Sequence, residues 1–414
     1  MAEGFRGNAA SLNEERAWLR DPPSARELGA VLGVGTMALV IAGVQPLLFG
    51  TLVDEGRMSA SGIGGAVTVE FLALAAGVGL ASGRLTPTRL RLRAVLASLV
   101  LIAANLMSLR HAVPLLYIDR GLAGLSAGVL LSIPALLLAR SRNPAKLGAV
   151  LMVLQGLVQV AFAAILPLSL MVSWGANGGF LALAGAAAMA ALCGLFVPDR
   201  LALLDEAEGK HPIEHALPPA GMLSLVGVVL IYAFFFGFFS YLGQLGTQSH
   251  LGTDAIGLVL AATVAASIVG SLLTAVISRK VSFFRVYGIS VVVNVGLLVI
   301  LSKLPGPIVF SLSSICFGLL WGFLMPYQLN FTAEVDATRR STLLVPGAQA
   351  FGASIGPLLC AFSVTERDSR GALLVAGLCL VSYFCVVLGL HLRRNRILKA
   401  ATLGWSGPRT NHLV

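Results

Sequence analysis

The sequence has few charged residues for its length. Only 12% of its 414 residues are Asp, Glu, Lys or Arg, whereas 57% are hydrophobic. A soluble domain carries about 25% charged residues, so this chain has too little polar surface to cover a water-soluble particle. The composition excludes an ordinary soluble protein and predicts one whose natural solvent is lipid.

Motifs for ATP-driven transport and for metal chemistry are also missing. The sequence contains no P-loop, which excludes ATP as the expected energy source. The five cysteines lie in apolar runs without a CxxC pair, as small packing residues do, and no His, Cys and carboxylate residues have metal-ligand spacing. We therefore expect no metal, no cofactor and no enzymatic activity.

Twelve long apolar runs account for most of the chain. A helix needs roughly 20 apolar residues to cross the hydrocarbon, and runs of this length fit within the chain twelve times. Helices satisfy all their backbone hydrogen bonds within one segment, and the runs lack the period-two alternation of barrel strands. The sequence predicts an all-α membrane protein with 12 transmembrane helices.

Positive charge is distributed unevenly between the connections of these helices. Of the 29 Lys and Arg residues, 23 lie in the two tails and in every second loop, five lie in the remaining loops, and Arg120 lies inside a helix. Because cytoplasmic loops carry the excess of Lys and Arg, both chain ends are predicted to be cytoplasmic. The net charge of +10 is assigned to contact with membrane lipids, and no nucleic acid is expected as a partner.

A polar, acidic connection divides the chain into two equal halves. In each half the second helix ends in a basic loop, which indicates an internal duplication typical of transporters. The predicted divisions are a cytoplasmic tail (1–27), a first six-helix bundle (28–196), a central cytoplasmic loop (197–219), a second six-helix bundle (220–392) and a cytoplasmic tail (393–414).

Three ionisable residues lie within predicted membrane helices: Glu70, Asp119 and Arg120. Such residues cost about 2.5–3.5 kcal/mol on insertion scales and tend to mark function. Counted from the same side, Glu70 lies roughly 13 Å deep and Arg120 roughly 9 Å deep, so the two can pair. We expect Glu70 or Asp119 to be the group that binds and releases a proton during transport. Arg120 is then the charge partner of that carboxyl, or it binds an anion. The alternatives are a fixed ion pair and an Asp119 that reaches the outer interface.

The arrangement of two six-helix halves resembles the major facilitator superfamily over essentially the whole chain. The loop after helix 2 reads Gly79-Leu-Ala-Ser-Gly-Arg84. Gly79 and Arg84 match the family's motif in this loop, whereas Gly83 stands where the family has an aspartate. The resemblance implies alternating access, in which two pseudo-symmetric bundles rock around a site near the midplane.

Helices 4 and 11 carry further motifs of small residues. In helix 4, Arg120 precedes Gly124 and Gly128 at helical spacing. This is similar to proton-linked members of the family and implies a role for Arg120 in proton coupling. Helix 11 contains Gly352-Ala-Ser-Ile-Gly356-Pro357, which is related to a motif that the family's antiporters carry on helix 5; here helix 5 lacks it. The glycines are expected to form the sliding contacts of a rocking transporter.

In this family helices 1, 4, 7 and 10 line the central cavity, which directs attention to polar and aromatic residues there. Gln45 precedes Pro46, where a broken helix 1 is expected to expose carbonyl groups. The aromatic run of helix 7 is expected to pack mainly towards lipid. A cavity with one cation and several aromatic rings suits an amphipathic, aromatic or anionic organic solute. The cavity candidates are Gln45, Gln159, Tyr232, Tyr241, Gln244, Trp321 and Gln349.

The sequence thus predicts a monomeric, proton-coupled secondary transporter that moves a small organic solute across a bacterial inner membrane. Three alternatives stay open. They are a proton-driven exporter rather than an importer, a transporter-like receptor that senses a solute without moving it, and an intramembrane enzyme, for which no catalytic constellation is visible. Replacing Arg120 with alanine is predicted to abolish transport while leaving the protein folded.

Overall fold

Helices dominate the computed structural model, which describes residues 23–83, 89–110, 113–139, 144–199, 218–277, 283–335 and 340–403. Twelve spans within these ranges are long and apolar enough to cross a membrane. The predicted all-α membrane fold is confirmed. The helices are α1 (Ala25–Ala38 and Val40–Asp54), α2 (Ala60–Gly83), α3 (Leu90–Met107), α4 (Leu115–Ala139), α5 (Pro144–Ile165), α6 (Leu170–Gly194), α7 (Pro219–Gln248), α8 (Thr253–Ile277), α9 (Phe283–Leu301), α10 (Pro307–Val335), α11 (Arg340–Ala361) and α12 (Gly371–Leu403).

Two helix boundaries differ from those expected. The predicted C-terminal tail begins at residue 393, but α12 continues as a helix to Leu403. Helix α1 was expected to break at Pro46, and instead the break lies at Leu39, whose backbone N–H turns to the Thr36 carbonyl. The helix runs on through Pro46 because the flanking residues keep helical geometry around it. The carbonyls that the break exposes therefore lie nearer the start of the chain than the sequence indicated.

The start of α1 shows why the helix begins where it does. Ser24 accepts a hydrogen bond from the backbone N–H of Glu27, and the Glu27 carboxylate accepts one from the backbone N–H of Ser24. This reciprocal capping box satisfies two of the backbone donors that a helix leaves without partners at its N-terminus.

Packing between helices repeats from one half of the chain to the other. In the first half α2 packs on α4, and in the second half α8 packs on α10, the pair six helices later. The contacts between the two halves follow the same step of six helices. Helix α2 packs on α11, and its counterpart α8 packs on α5, the counterpart of α11. Helix α1 also meets α7. The two six-helix bundles are therefore related by a pseudo-two-fold axis that passes between them.

We call the two ends of the molecule the proximal face, where α1 begins, and the distal face, which carries loops such as 55–59, 249–252 and 362–370. Large apolar side chains lie exposed around the helices between these faces; Val292 on α9 is 72% exposed and Ile289 is 66% exposed. Soluble proteins rarely expose contiguous apolar surface on this scale. The exposed belt is the surface that contacts lipid in a multi-pass membrane protein.

Candidate functional site

A buried arginine on α4 forms the centre of the charged site. Arg120 is 0% exposed, and its Nη2 donates hydrogen bonds to Asn105 Oδ1 and Ser108 Oγ on α3, both at 2.9 Å. Its Nη1 lies 3.5 Å from Oε1 of Glu70 on α2. The pair that the helix depths predicted is therefore present. No hydrogen-bond acceptor among the described residues satisfies Arg120 Nε.

Two carboxyl groups accompany this single guanidinium. Glu70 is 2% exposed, and its Oε2 has no hydrogen-bond partner among the described residues. Asp119, next to Arg120 in the sequence, is 0% exposed, so it does not reach the outer interface. Glu70 forms an ion pair with Arg120, and burying a carboxylate in this region is costly unless it is paired.

The charge cluster lies inside the first bundle. The partners of Arg120 come from α2, α3 and α4, and its guanidinium carbon lies 5.0 Å from the centroid of the Phe180 ring on α6. The resemblance had suggested Arg120 as a residue of the central cavity between the bundles. The structure instead surrounds it with helices of one bundle, because α4 packs on α2 and α3 and the Arg120 side chain reaches Phe180 of α6.

A second arginine links this cluster to the distal face. Arg57 follows α1 and donates to the backbone carbonyls of Ser108 and Leu109 at the end of α3, at 2.9 and 3.3 Å. It also donates to Asn177 Oδ1 on α6 at 2.8 Å. Ser108 thus accepts from Arg120 through its hydroxyl and from Arg57 through its carbonyl. The sequence placed Arg57 in an outer loop and gave no signal for this connection.

Glu55, two residues before Arg57, completes the distal network at a break in α6. Gly175 has φ +53°, where L side chains are strained, and an added Cβ would collide with the Glu55 carboxylate. Glu55 Oε1 accepts the backbone N–H of Ala176 at 2.7 Å, and its Oε2 lies 3.5 Å from Arg57. A carboxylate at this new helix N-terminus satisfies a backbone donor and complements the helix dipole.

Two of the cavity candidates join the bundles near the distal face. Gln45 on α1 donates from Nε2 to Ser240 Oγ on α7 at 2.7 Å. Gln244, one turn further along α7, donates to Asp54 Oδ1 at 3.2 Å and to the Gly50 carbonyl at 3.4 Å. Both glutamines are buried. They hold α1 against α7 in this conformation.

Gln159, a third cavity candidate, contacts the break in α1 instead of the second bundle. Its Nε2 donates to the Leu39 carbonyl at 3.0 Å. Gln155, one turn earlier on α5, donates to the Gly35 carbonyl at 3.1 Å. That carbonyl has lost its usual partner because the Leu39 N–H turns to Thr36. The Gln155 amide therefore satisfies a carbonyl that the broken helix releases, and Gln159 adds a second donor to the Leu39 carbonyl, which also accepts the Ala42 N–H.

The aromatic run of α7 is buried rather than exposed to lipid, so this expectation was wrong. Trp321 of α10 stacks on Phe235 with ring centroids 5.5 Å apart and meets Phe236 edge to face at 5.4 Å. Phe236 also stacks on Tyr232 and contacts Phe71 of α2, in the other bundle, at 5.2 Å. The rings face α10 because aromatic pairs stabilise this contact. The fully buried rings of the run are Phe234, Phe235, Phe238 and Phe239.

The remaining cavity candidates differ in exposure. Tyr241 is completely buried at 0% exposure. Gln349 on α11 is half-buried, as are Tyr232, Phe236 and Trp321. Because Phe236 contacts both bundles, it and the two rings that it touches, Tyr232 and Trp321, lie beside the space between the bundles.

The glycines of the sequence motifs pack helices within bundles rather than between them. An added Cβ on Gly124 or Gly128 would collide with backbone carbonyls of α2, and one on Gly352 or Gly356 would collide with carbonyls of α7. The expected sliding role for these four residues was therefore wrong. Sequence spacing identified close helix approach but could not identify the partner helix.

Other residues carry the close contacts between bundles. An added Cβ on Gly64 of α2 would collide with the carbonyl of Pro357, and one on Gly243 of α7 with the carbonyl of Pro46. Gly79 is exposed and would meet nothing within 4 Å. Arg84, its predicted partner in the loop motif, lies outside the described residues.

Helix 11 also contains a Gly-x-Ser-x-Gly pattern at residues 352–356, which resembles a hydrolase nucleophile motif in sequence. The pattern lies in a continuous helix, and Ser354 donates its hydroxyl to the Ala350 carbonyl. A hydrolase nucleophile requires a sharp strand-to-helix turn instead. Among the described residues, no three His, Cys, Asp or Glu side chains are grouped closely enough to hold a metal ion.

Comparison with known proteins places this geometry in a family. Residues 30–357 match the family model described as Major Facilitator Superfamily. No curated protein matches the chain by sequence. The peptide transporter PepTSo of the POT family is a similar solved structure, with 12% identity and a TM-score of 0.68 over 90% of this chain and 99% of that one.

Two further solved structures share the fold at the same low identity. The nucleoside transporter NupG matches with 12% identity and a TM-score of 0.64, covering 89% of this chain and 99% of that one. A bacterial homolog of the human lysosomal transporter Spinster, in an inward-facing conformation, matches with 12% identity and a TM-score of 0.60 over 89% and 96% of the two chains. At this identity the likeness concerns the fold alone.

Proposed function

Because the chain belongs to the major facilitator superfamily, we propose that it is a proton-coupled transporter of a small organic solute in a bacterial inner membrane. It is a multi-pass membrane protein with a transporter fold. The observation that supports coupling to protons is the buried cluster of two carboxyls and one guanidinium.

The buried cluster is the site that we propose for the proton. Glu70, Asp119 and Arg120 are all nine-tenths or more buried. A buried carboxyl is costly to ionise unless a cation pairs with it, so a change in the Glu70–Arg120 contact favours uptake or release of a proton. We propose Glu70 as the proton carrier, because it lies 3.5 Å from Arg120 on the helix that also contacts the second bundle.

Helix α2 connects the proton site to the other bundle. Glu70 faces Arg120, whereas Thr68 donates to the Ser354 carbonyl on α11 at 2.7 Å and Phe71 contacts Phe236 on α7. A change in the Glu70–Arg120 pair therefore acts on the same turn of helix that touches the second bundle. We propose that protonation and rocking of the bundles are coupled here.

The conformation supports alternating access. The described hydrogen bonds between bundles, such as Gln45 to Ser240 and Thr68 to Ser354, lie in the distal half. On the proximal side a cleft of about 370 Å³ lies along the contact between α5 and α8. With both chain ends in the cytoplasm, as the charge distribution predicts, this is a state open to the cytoplasm and closed to the outside.

The space between the bundles favours an amphipathic or aromatic solute. Tyr232, Phe236, Trp321 and Gln349 contribute three half-exposed rings and one amide. Apolar walls with a few polar groups are typical of organic-ligand sites. The named relatives carry nucleosides and peptides, which also combine rings or apolar side chains with hydrogen-bonding groups. Because Arg120 pairs with residues of its own bundle, it is assigned to proton coupling rather than to recognition of an anionic solute.

The test uses purified protein in vesicles that contain a pH-sensitive dye. Nucleosides, dipeptides and amphipathic aromatic compounds are added in turn, and proton movement is recorded alongside solute uptake. We expect one class to move protons with wild-type protein, and Glu70→Gln to retain solute exchange without moving protons. Proton movement that persists in Glu70→Gln would refute the role of Glu70.

The same vesicles separate the alternatives. Solute-driven proton flux in the direction opposite to solute movement would identify an exporter that works by antiport. Binding of a solute without any flux would favour the receptor, and chemical conversion of the added compound would favour the enzyme. Asp119→Asn serves as the matched control for Glu70→Gln, since it also neutralises a buried carboxyl beside Arg120.

A further inference from the structure

The ion pair between Arg120 and Glu70 is only half formed. A bidentate pair joins two guanidinium nitrogens to both carboxylate oxygens, with each N···O distance at about 2.7–2.9 Å. Here Arg120 Nη1 lies 3.5 Å from Glu70 Oε1, and Glu70 Oε2 has no hydrogen-bond partner among the described residues. Both side chains are buried, where an incomplete ion pair is costly. Other partners therefore hold the guanidinium in this position.

Helix α3 supplies these partners. A bidentate pair through Nη1 needs Nη2 as its second nitrogen, but Arg120 Nη2 donates to Asn105 Oδ1 and Ser108 Oγ, both at 2.9 Å. Ser108 is the C-cap of α3, and Asn105 lies in its last turn. The negative end of the helix dipole lies here and adds to the attraction for a cation. Helix α3 thus competes with Glu70 for the same guanidinium.

The two acceptors on α3 are fixed in place. Each donates to a backbone carbonyl four residues earlier in the helix, at 2.9 Å for the Asn105 amide and 2.8 Å for the Ser108 hydroxyl. Because these donors are used on α3 itself, the amide oxygen and the hydroxyl oxygen face Arg120 as acceptors. Arg57 donates to the Ser108 carbonyl at 2.9 Å from the distal side and holds the end of the helix. The acceptors therefore stay in place if the guanidinium moves towards Glu70.

Few other ionisable groups lie on the helices packed against α2, which are α1, α4, α7 and α11. The membrane spans of α7 and α11 contain no Asp, Glu, Lys, Arg or His, and α4 contributes Asp119 beside Arg120. Those of the α1 span are at its two ends, namely Arg26, Glu27 and Asp54. The tyrosines and the cysteine of these spans, which ordinarily ionise above about pH 8, are Tyr117, Tyr232, Tyr241 and Cys360. Arg120 is therefore the cation that controls the charge of Glu70.

We propose that Asn105 and Ser108 are positioning residues that hold Arg120 back from Glu70 and thereby favour protonation of Glu70. This role rests on the proposed function, in which Glu70 carries the proton. A cation close to a carboxylate stabilises its ionised form, so a complete pair with Arg120 favours release of the proton. Binding of Nη2 to α3 weakens the pair and favours uptake. A shift of the guanidinium from α3 to Glu70 then releases the proton.

The test is infrared spectroscopy of protonated carboxyl groups, recorded against pH on purified protein in lipid nanodiscs. The carboxyl band that Glu70→Gln removes belongs to Glu70, and its midpoint gives the pH at which Glu70 binds a proton. Ser108→Ala removes one acceptor from Nη2. We expect its midpoint to lie about one pH unit below that of wild type, which is a tenfold weaker binding of the proton. This ratio corresponds to about 1.4 kcal/mol, the order of one net hydrogen bond.

Two further variants make the result specific. Asn105→Leu keeps the approximate size of the side chain, removes the other acceptor and should also lower the midpoint. Ser98→Ala is the matched control, since Ser98 is buried on α3 and its hydroxyl has no hydrogen-bond partner among the described residues. We expect the midpoint of this control to equal that of wild type.

The direction of the shift separates positioning from packing. If Asn105 and Ser108 only supported packing, their loss would let the guanidinium move away from Glu70 and would raise the midpoint. Gel filtration and melting identify any variant that fails to fold, and Ser108→Ala, which removes a single oxygen, is the mildest of them. An unchanged or raised midpoint in either folded α3 variant would overturn the proposal.

The same spectra distinguish this failure from failure of the proposed function. A band that titrates in wild type but ignores the α3 variants removes only the positioning role and leaves Glu70 as the proton carrier. A wild-type protein in which no carboxyl band depends on Glu70 at any pH refutes Glu70 as the carrier, and the positioning role with it.

Discussion

Replacing Arg120 with methionine should lower the stability of the folded protein by about 3–5 kcal/mol. The substitution keeps side-chain length but leaves Glu70, 3.5 Å away, as a buried carboxyl without its cation. Removing one partner of a buried ion pair typically costs this much, because uncompensated charge remains. Such a loss is a large share of the 5–15 kcal/mol that stabilises typical domains. The variant predicted from sequence, Arg120→Ala, should therefore lose stability as well as transport.

The assay is reversible unfolding in mixed detergent micelles, followed by tryptophan fluorescence. Adding Glu70→Gln to Arg120→Met should restore part of the lost stability, because the second change removes the charge that the first leaves unpaired. Arg370→Met is the control, since it breaks an ion pair with Asp368 that is exposed to water. If the double variant is destabilised by the sum of its two single changes, or if Arg120→Met is no worse than the control, the argument from buried charge is wrong.

Two further predictions concern the distal side of the molecule. Gly64→Ala should lower transport, because its Cβ would collide with the Pro357 carbonyl and hold α2 away from α11, whereas Gly79→Ala, with open space around it, should leave uptake unchanged. The Arg370 guanidinium holds the pKa of the Asp368 carboxyl below its usual range, so the stability that Asp368 contributes is present at neutral pH and lost as pH falls through its lowered value. Melting curves below the usual carboxyl pKa of about 3.9 should therefore show a smaller difference between wild type and Asp368→Asn than curves at neutral pH.

The fold was readable from the sequence because the membrane imposes strong and local requirements. Twelve apolar runs and an uneven distribution of Lys and Arg determine the number of helices without any knowledge of tertiary contacts. The depth of Glu70 and Arg120 followed from the rise of a helix, which is why their pairing was predictable. These properties depend on one segment at a time.

The site was less predictable because facing directions depend on contacts between distant segments. Sequence spacing placed Gly124 and Gly352 at helix contacts but not at the right helix. Asn105 and Ser108, the hydrogen-bond partners of Arg120, belong to α3 and carried no signal of their own. The break at Leu39 was missed because Pro46 is the residue that ordinarily ends a helix, and here the helix accommodates it.

A proton site inside one bundle can drive movement of both bundles only if some element belongs to both. Helix α2 meets this requirement, since Glu70 faces Arg120 while Thr68 and Phe71 touch α11 and α7. Coupling energies of 1–3 kcal/mol are typical between linked sites, and a buried ion pair whose charge balance changes with one proton involves energies at least this large. The hydrogen bonds of Gln45 and Gln244 between α1 and α7 do not involve α2. They would therefore stabilise the closed distal side without linking its opening to the protonation of Glu70.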